Sequence, residues 1–169
     1  MPILETPRLI LLELTPEDAP FMFELMNDPA WLEFIGDRGI RTVDDAREYI
    51  ARGPIAMYRR YGYGSWRVER KADGMPVGTC GILRRDGLDD PDLGFAFLPA
   101  ARGQGYASEA GAATMVHARR VLGLGRIVAI ATRANRASGR VLTRLGFRLE
   151  GPVTLPGDPE ALDLYASNA

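Results

Sequence analysis

Apolar residues along the chain switch between strand-like runs and helical spacing, and the switches divide it into elements. Arg8-Leu9-Ile10-Leu11-Leu12-Glu13-Leu14 is an apolar run of strand length. Thr15-Pro16-Glu17-Asp18 follows with a capping Thr, a Pro suited to the first helical position and an Asp three residues after the cap. A helix is expected there, with Phe21, Met22, Leu25 and Met26 on one face and Asn27-Asp28-Pro29 at its end. Thr42-Val43-Asp44-Asp45 is a second capping signature. It opens a helix carrying Ala46, Tyr49 and Ile50, which Gly53-Pro54 interrupts before a further turn or two over 55–61. Ser65–Glu69 alternates, Lys71–Gly74 is turn-like, and Pro76–Leu83 reads as the returning strand despite its glycines.

The second half continues the alternation. Arg84–Pro91 is polar and loop-like, and Leu93–Leu98 is a central strand stopped by Pro99. Glu109–Leu122 is helical, with Ala110, Gly111, Ala112 and Ala113 small enough for close packing, and Gly123-Leu124-Gly125 ends it. Arg126–Thr132 is a β-branched strand, Asn135 can cap a helix carrying Val141, Leu142 and Leu145, and 147–150 with 162–165 form a last hairpin. There is no internal repeat, low-complexity tract or linker. The order β-α-α-β-β-β-α-β-α-β-β predicts a mixed α/β or α+β sheet in one domain spanning 1–169.

Composition narrows the function classes. Lys plus Arg (21) nearly balances Asp plus Glu (22), so no global basic field points to nucleic acid. One cysteine, Cys80, excludes an internal disulfide, and with a single histidine, His117, no metal centre is expected. No basic leader precedes an apolar stretch and none is long enough to span a bilayer, so a cytoplasmic location and no membrane partner are expected.

The stretch Arg102-Gly103-Gln104-Gly105-Tyr106-Ala107 joins a strand to a helix. Helix N-termini carry unpaired N–H groups and a positive dipole end, and glycines let an anion approach the backbone. The unit is therefore a candidate phosphate cradle. It lacks the Gly-Lys-Ser/Thr ending of a P-loop. Against a dinucleotide fingerprint, Gly103 and Gly105 match but Ser108 holds the third glycine place, and the next strand ends in Thr132-Arg133-Ala134-Asn135 with no acid.

Coenzyme A is the remaining class, and here the chain resembles the GNAT superfamily of N-acetyltransferases. Residues 102–107 fit that family's Arg/Gln-x-x-Gly-x-Gly/Ala motif, and Asn135-Arg136-Ala137-Ser138 through Leu145-Gly146-Phe147 resembles its Asn-x-x-Ser…Leu-Gly-Phe segment. Thr6-Pro7-Arg8-Leu9-Ile10-Leu11 with Thr15-Pro16-Glu17-Asp18 resembles the branch that acetylates ribosomal-protein N-termini.

The resemblance implies a GNAT-like fold: one mixed, mostly antiparallel sheet whose strands at 93–98 and 126–132 are parallel and splayed. Acetyl-CoA is the implied co-substrate, and a primary amine attacks it directly in a ternary complex. Arg102, Gly103, Gln104, Gly105, Tyr106, Ala107 and Ser108 are the implied pyrophosphate site. Backbone of Phe97 and Leu98 would pair with the pantetheine arm, an amide there would polarise the thioester carbonyl, and Asn135 would contact the arm or order the site.

Two proton transfers remain. Asp92, two residues before Gly94, is the candidate base. Many relatives protonate the thiolate with a Tyr seven residues after the Asn, where this chain has Leu142; Ser138 is the candidate to hydrogen-bond the sulfur instead. Each has a plain alternative. Asp92 can solvate a strand edge, Ser138 can bond its own backbone, and Asn135 is an N-cap on either reading. Residues 30–62 are expected to line the acceptor site, where Glu33, Asp37, Asp44 and Asp45 could attract a cationic amine. Of Tyr58, Tyr61, Tyr63 and Trp66, the last is expected in the core, and the others fit core, dimer surface or acceptor pocket. The acceptor is a peptide N-terminus or a small-molecule amine, the chain a monomer or homodimer. The alternative to catalysis is a CoA-binding sensor or interaction module, which Leu142 favours.

Overall fold

A computed structural model describes residues 1–168. Eight strands form one sheet in the order β1-β2-β3-β4-β5-β6-β8-β7: β1 Pro2–Glu5, β2 Leu9–Glu13, β3 Ser65–Arg70, β4 Pro76–Leu83, β5 Asp92–Phe97, β6 Ile127–Ala131, β7 Arg148–Val153 and β8 Leu162–Ser167. Every neighbouring pair is antiparallel except β5 and β6, which are parallel, so the mixed sheet expected from the sequence is the one found. Helices α1 (Ala19–Met26), α2 (Pro29–Phe34), α3 (Val43–Ile50) and α4 (Ala56–Tyr61) intervene between β2 and β3. Helix α5 (Tyr106–Arg120) follows β5, and α6 (Arg136–Arg144) follows β6.

Two apolar cores lie on opposite faces of the sheet. Leu93 and Phe97 of β5 join Trp66, Ile82, Ala110 and Met115 under α5, whereas Ala96 and Leu98 pack against the cluster of Phe21, Leu25, Trp31 and Ile50 from α1–α3. The period of two along β5 thus serves both faces, as a central strand requires.

Three elements differ from the expectation. Strand β1 is too short to show an alternation and is defined by its pairing with β2. Asp28-Pro29 ends α1 but also starts α2: Asp28 Oδ2 accepts from Ala30 N at 3.2 Å, and Pro29 occupies the first helical position. Helix α5 begins at Tyr106, three residues ahead of Glu109, because Gly105 in the left-handed region (φ 81°) acts as its cap. The β4 glycines have a packing cause. A Cβ at Gly81 would lie 2.0 Å from the Gly64 carbonyl oxygen, and one at Gly78 2.4 Å from that of Ala96.

Candidate active site

Strand β5 is treated differently by its two neighbours. It pairs with β4 along its whole length, from Leu83 opposite Asp92 to Gly78 opposite Phe97. With β6 it shares one register pair, Asp92 opposite Val128, beside the bond from Val128 N to Pro91 O at 3.0 Å. Beyond that pair the strands part. Residues of an antiparallel ladder turn their N–H and C=O groups alternately to either side. Leu98 N donates to Val77 O at 2.9 Å, so Phe95 and Phe97, of the opposite parity, turn theirs toward the gap. This corrects the expectation for Leu98, whose amide is engaged by β4 and is not offered to the gap.

The glycine loop closes one end of that gap. Gly103 (φ 74°) and Gly105 (φ 81°) occupy the left-handed region, which a Cβ disfavours. The first bond of α5 runs from Glu109 N to Gly105 O. The amides of Tyr106, Ala107 and Ser108 therefore have no carbonyl in their own helix, and the positive end of its dipole lies there. Gln104 turns its side chain back, donating to Ala100 O at 2.9 Å. Arg102 braces the end of β5: its Nε donates to Phe97 O at 3.1 Å and its Nη2 bonds Asp28.

The Thr-Pro-Arg opening docks on this loop. Thr6 Oγ1 donates to Glu109 Oε2 at 2.6 Å, Arg8 N to the same oxygen at 3.0 Å, and Arg8 Nε to Oε1 at 2.7 Å. The Arg8 guanidinium lies 4.5 Å from the Tyr106 ring centroid. On the other side of the gap, Asn135 Oδ1 accepts from Ser138 N at 3.2 Å and caps α6. Asn135, Ser138 and the core residue Leu142 all line the cleft.

That cleft has a volume of about 1040 Å³ and runs from the glycine loop, between β5 and β6, to a chamber beneath α2 and α3. It joins the free amides of the glycine loop to the edge of β5 and continues to α2 and Tyr49, which suits a long phosphorylated donor and a second reactant. A family model described as the acetyltransferase (GNAT) domain matches residues 8–148. The chain belongs to the GNAT acetyltransferase family. It is an acetyl-CoA-dependent N-acetyltransferase. The uncharacterized N-acetyltransferase YoaA of Bacillus subtilis is 30% identical over 151 residues, covering 89% of this chain and 85% of that protein. A crystal structure of an acetyltransferase from Agrobacterium tumefaciens superposes with a TM-score of 0.83 at 27% identity, covering 100% of this chain and 95% of that one. The ribosomal L7/L12 alpha-N-protein acetyltransferase RimL, in complex with coenzyme A, shares the fold with a TM-score of 0.82 at 22% identity, covering 99% and 98% of the two chains.

The end of this GNAT protein's cleft away from the glycine loop is lined by arginines as well as acids. Asp37 is paired with Arg41 and Asp44 with Arg47, while Asp45 caps α3 through the amides of Arg41 and Thr42. Of the four acids considered, Glu33 alone lines the cleft. Arg38, Arg84 and Arg85 line it too. The last two lay in a stretch that reads as plain loop; their place directly after β4, which neighbours β5, was the available signal. The aromatic lining is Trp31, Phe34 and Tyr49, and none of the aromatics at 58–66 contributes. Trp66 is core, as expected, and Tyr58 bonds Leu14 N and Ser65 O.

Asp92 lies where the strands part, but its side chain is fully covered. Arg85 Nε donates to its Oδ2 at 2.9 Å, and its Oδ1 has no partner among the described residues. Burial pushes its carboxyl above the ordinary value, and the Arg85 charge opposes this. Cys80 is buried, and its thiol is pushed up to about 12, so it is no nucleophile. No cluster of three or more metal-ligating side chains occurs among the described residues, and no described helix is long and apolar enough to cross a membrane.

Proposed function

We propose that the protein transfers acetyl from acetyl-CoA to the primary amine of a peptide N-terminus or small molecule, by direct attack in a ternary complex, using residues 1–169 as one catalytic domain. The observation that carries this reading is the parting of β5 and β6 after one register pair, which opens a continuous cleft from the Gly103–Ser108 amides to the arginine-lined chamber. Backbone N–H groups of 103–108 hold the pyrophosphate. Phe97 backbone pairs with the pantetheine arm and its amide polarises the thioester carbonyl. Asn135 orders the arm, and Ser138 hydrogen-bonds the departing sulfur, the task that Leu142 cannot perform. Much of the rate comes from holding amine and thioester together.

Asp92, paired with Arg85 at the point where the strands part, is the candidate base for the amine proton. Its unpartnered oxygen and raised proton affinity are properties of a base. The Thr-Pro-Arg opening docked on α5 supports the ribosomal-protein N-terminal acetyltransferase branch. The test is calorimetry with acetyl-CoA, followed by thiol release against a panel of amines and peptide N-termini. Binding and turnover are expected in the wild type and are lost in Gly105→Glu, which puts a side chain and a negative charge at a left-handed position of the cradle. Absence of acetyl-CoA binding at millimolar ligand refutes the reading. Binding without turnover on any acceptor favours the non-catalytic module.

A further inference from the structure

The acceptor chamber is supplied with hydrogen-bond donors and positive charge beyond what an amine needs. Arg85 is a fixed guanidinium. Asp92, 0% exposed, holds its Nε, and its Nη2 lies 3.5 Å from where a Cβ on Gly94 would stand, one step past the point where β5 and β6 part. Arg84 lines the same wall, with its guanidinium 5.8 Å from the Tyr61 ring centroid. Arg38, exposed like Glu33, enters from the loop after α2. Neither Arg84 nor Arg38 has a carboxylate within ion-pair distance among the described residues. Trp31, 8% exposed, also lines the cleft, with its indole nitrogen buried away from the surface.

Guanidinium groups present a planar fork that matches a carboxylate. Three acids also reach the lining, Glu33, Asp158 and Glu160, but Glu33 and Glu160 are exposed, and Asp158 accepts from Glu160 N in its own loop. A purely cationic acceptor would meet Arg84 and Arg38 with no carboxylate paired to them, whereas Arg85 is offset by Asp92 at 2.9 Å.

We propose that the acceptor is a primary amine that also carries a carboxylate, held by Arg84 and Arg85. This rests on the acetyl-transfer reading and names the class of amine it takes. The carboxylate comes either from a free amino acid or from an acidic side chain beside a peptide N-terminus. Matched acceptors separate these sources: amino acids against their amides, and tripeptide amides with Asp against Asn at the second position, all at saturating acetyl-CoA. The carboxylate member of at least one pair is expected to show a kcat/KM at least tenfold higher, through KM more than kcat. The pair showing this identifies the source.

Arg84→Gln, which breaks no ion pair, is expected to cut that preference below threefold through KM, and Arg85→Lys to cut it likewise while lowering kcat on both members of a pair alike, because Arg85 also holds Asp92. Equal rates, a preference for the amides, or a preference surviving both variants overturns the proposal while leaving acetyl transfer standing. If acetyl-CoA binds but neither member turns over, tryptophan fluorescence of the CoA-loaded protein decides. A response to the carboxylate member alone sustains the proposal; an equal response or none overturns it. Failure to bind acetyl-CoA in calorimetry refutes acetyl transfer itself, and the proposal falls with it.

Discussion

Glu109→Gln removes a charge from the joint between the N-terminal turn and the cofactor loop without changing side-chain volume. The carboxylate accepts from Thr6 Oγ1, Arg8 N and Arg8 Nε. A carboxamide has one acceptor oxygen and points an NH₂ at the remaining donors, so at least one bond is lost and a donor faces a donor. Hydrogen bonds to charged groups contribute about 1.5–3 kcal/mol each. The Arg8 component lies at the low end, about 0.2–1 kcal/mol, because that side chain is 47% exposed. The expected loss is therefore about 2–3 kcal/mol. For a chain of this size that lowers Tm by roughly 4–12 °C.

The pH dependence checks the cause. Burial pushes Glu109 upward, but its bonds from Thr6 and Arg8 outweigh this and hold its carboxyl below 4.5. A depressed folded value means that the stabilisation is complete above the unfolded value and disappears as pH falls through the folded one. Wild type and variant should differ fully at pH 7 and converge in acid below about pH 4.5. Thermal or urea melts of both proteins across that range measure it. A difference at pH 7 under about 0.5 kcal/mol, the level of an ordinary surface substitution, would refute the reasoning, as would a difference that does not change with pH.

Asp92→Asn should lower turnover at least tenfold and remove the acidic limb of the kcat/KM profile, which wild type shows because the base works only when ionised; wild-type rates would exclude Asp92 from the mechanism. Gly81→Ala should cost about 2 kcal/mol or more, read from urea melts, since the new Cβ meets the Gly64 carbonyl rather than a movable side chain. Ser138→Ala should lower kcat several-fold while leaving acetyl-CoA affinity within twofold in calorimetry, and an unchanged kcat would leave Ser138 with its backbone role alone.

Features encoded by adjacent residues were legible in the sequence. The capping signatures at Thr15 and Thr42, the glycine loop and the Asn135 cap are local chemistry, and each stands where the pattern put it. The parallel pair came from the family resemblance. What escaped depends on tertiary contact. Periodicity could not separate an edge acid from a buried one, so Asp92 read as a possible strand-edge carboxylate until β4 and Arg85 covered it. Asp37, Asp44 and Asp45 are a local exception: Arg41, Arg47 and the amides of Arg41 and Thr42 engage them from within four residues, a pairing set by side-chain geometry that composition does not show. Thr6 and Arg8 meet Glu109 only after the chain has folded back more than half its length.

One rung joins strands β1–β5 to strands β6–β8. In hydrogen exchange, the Phe95 and Phe97 amides should therefore behave like those of a frayed margin, although they lie in the middle of the sheet. Any chain-like ligand that supplies the missing rungs acts as a ninth strand, and its free energy of binding is added to that of folding. Donor supply would then set how long the protein survives heat and proteolysis, making the empty enzyme the perishable form.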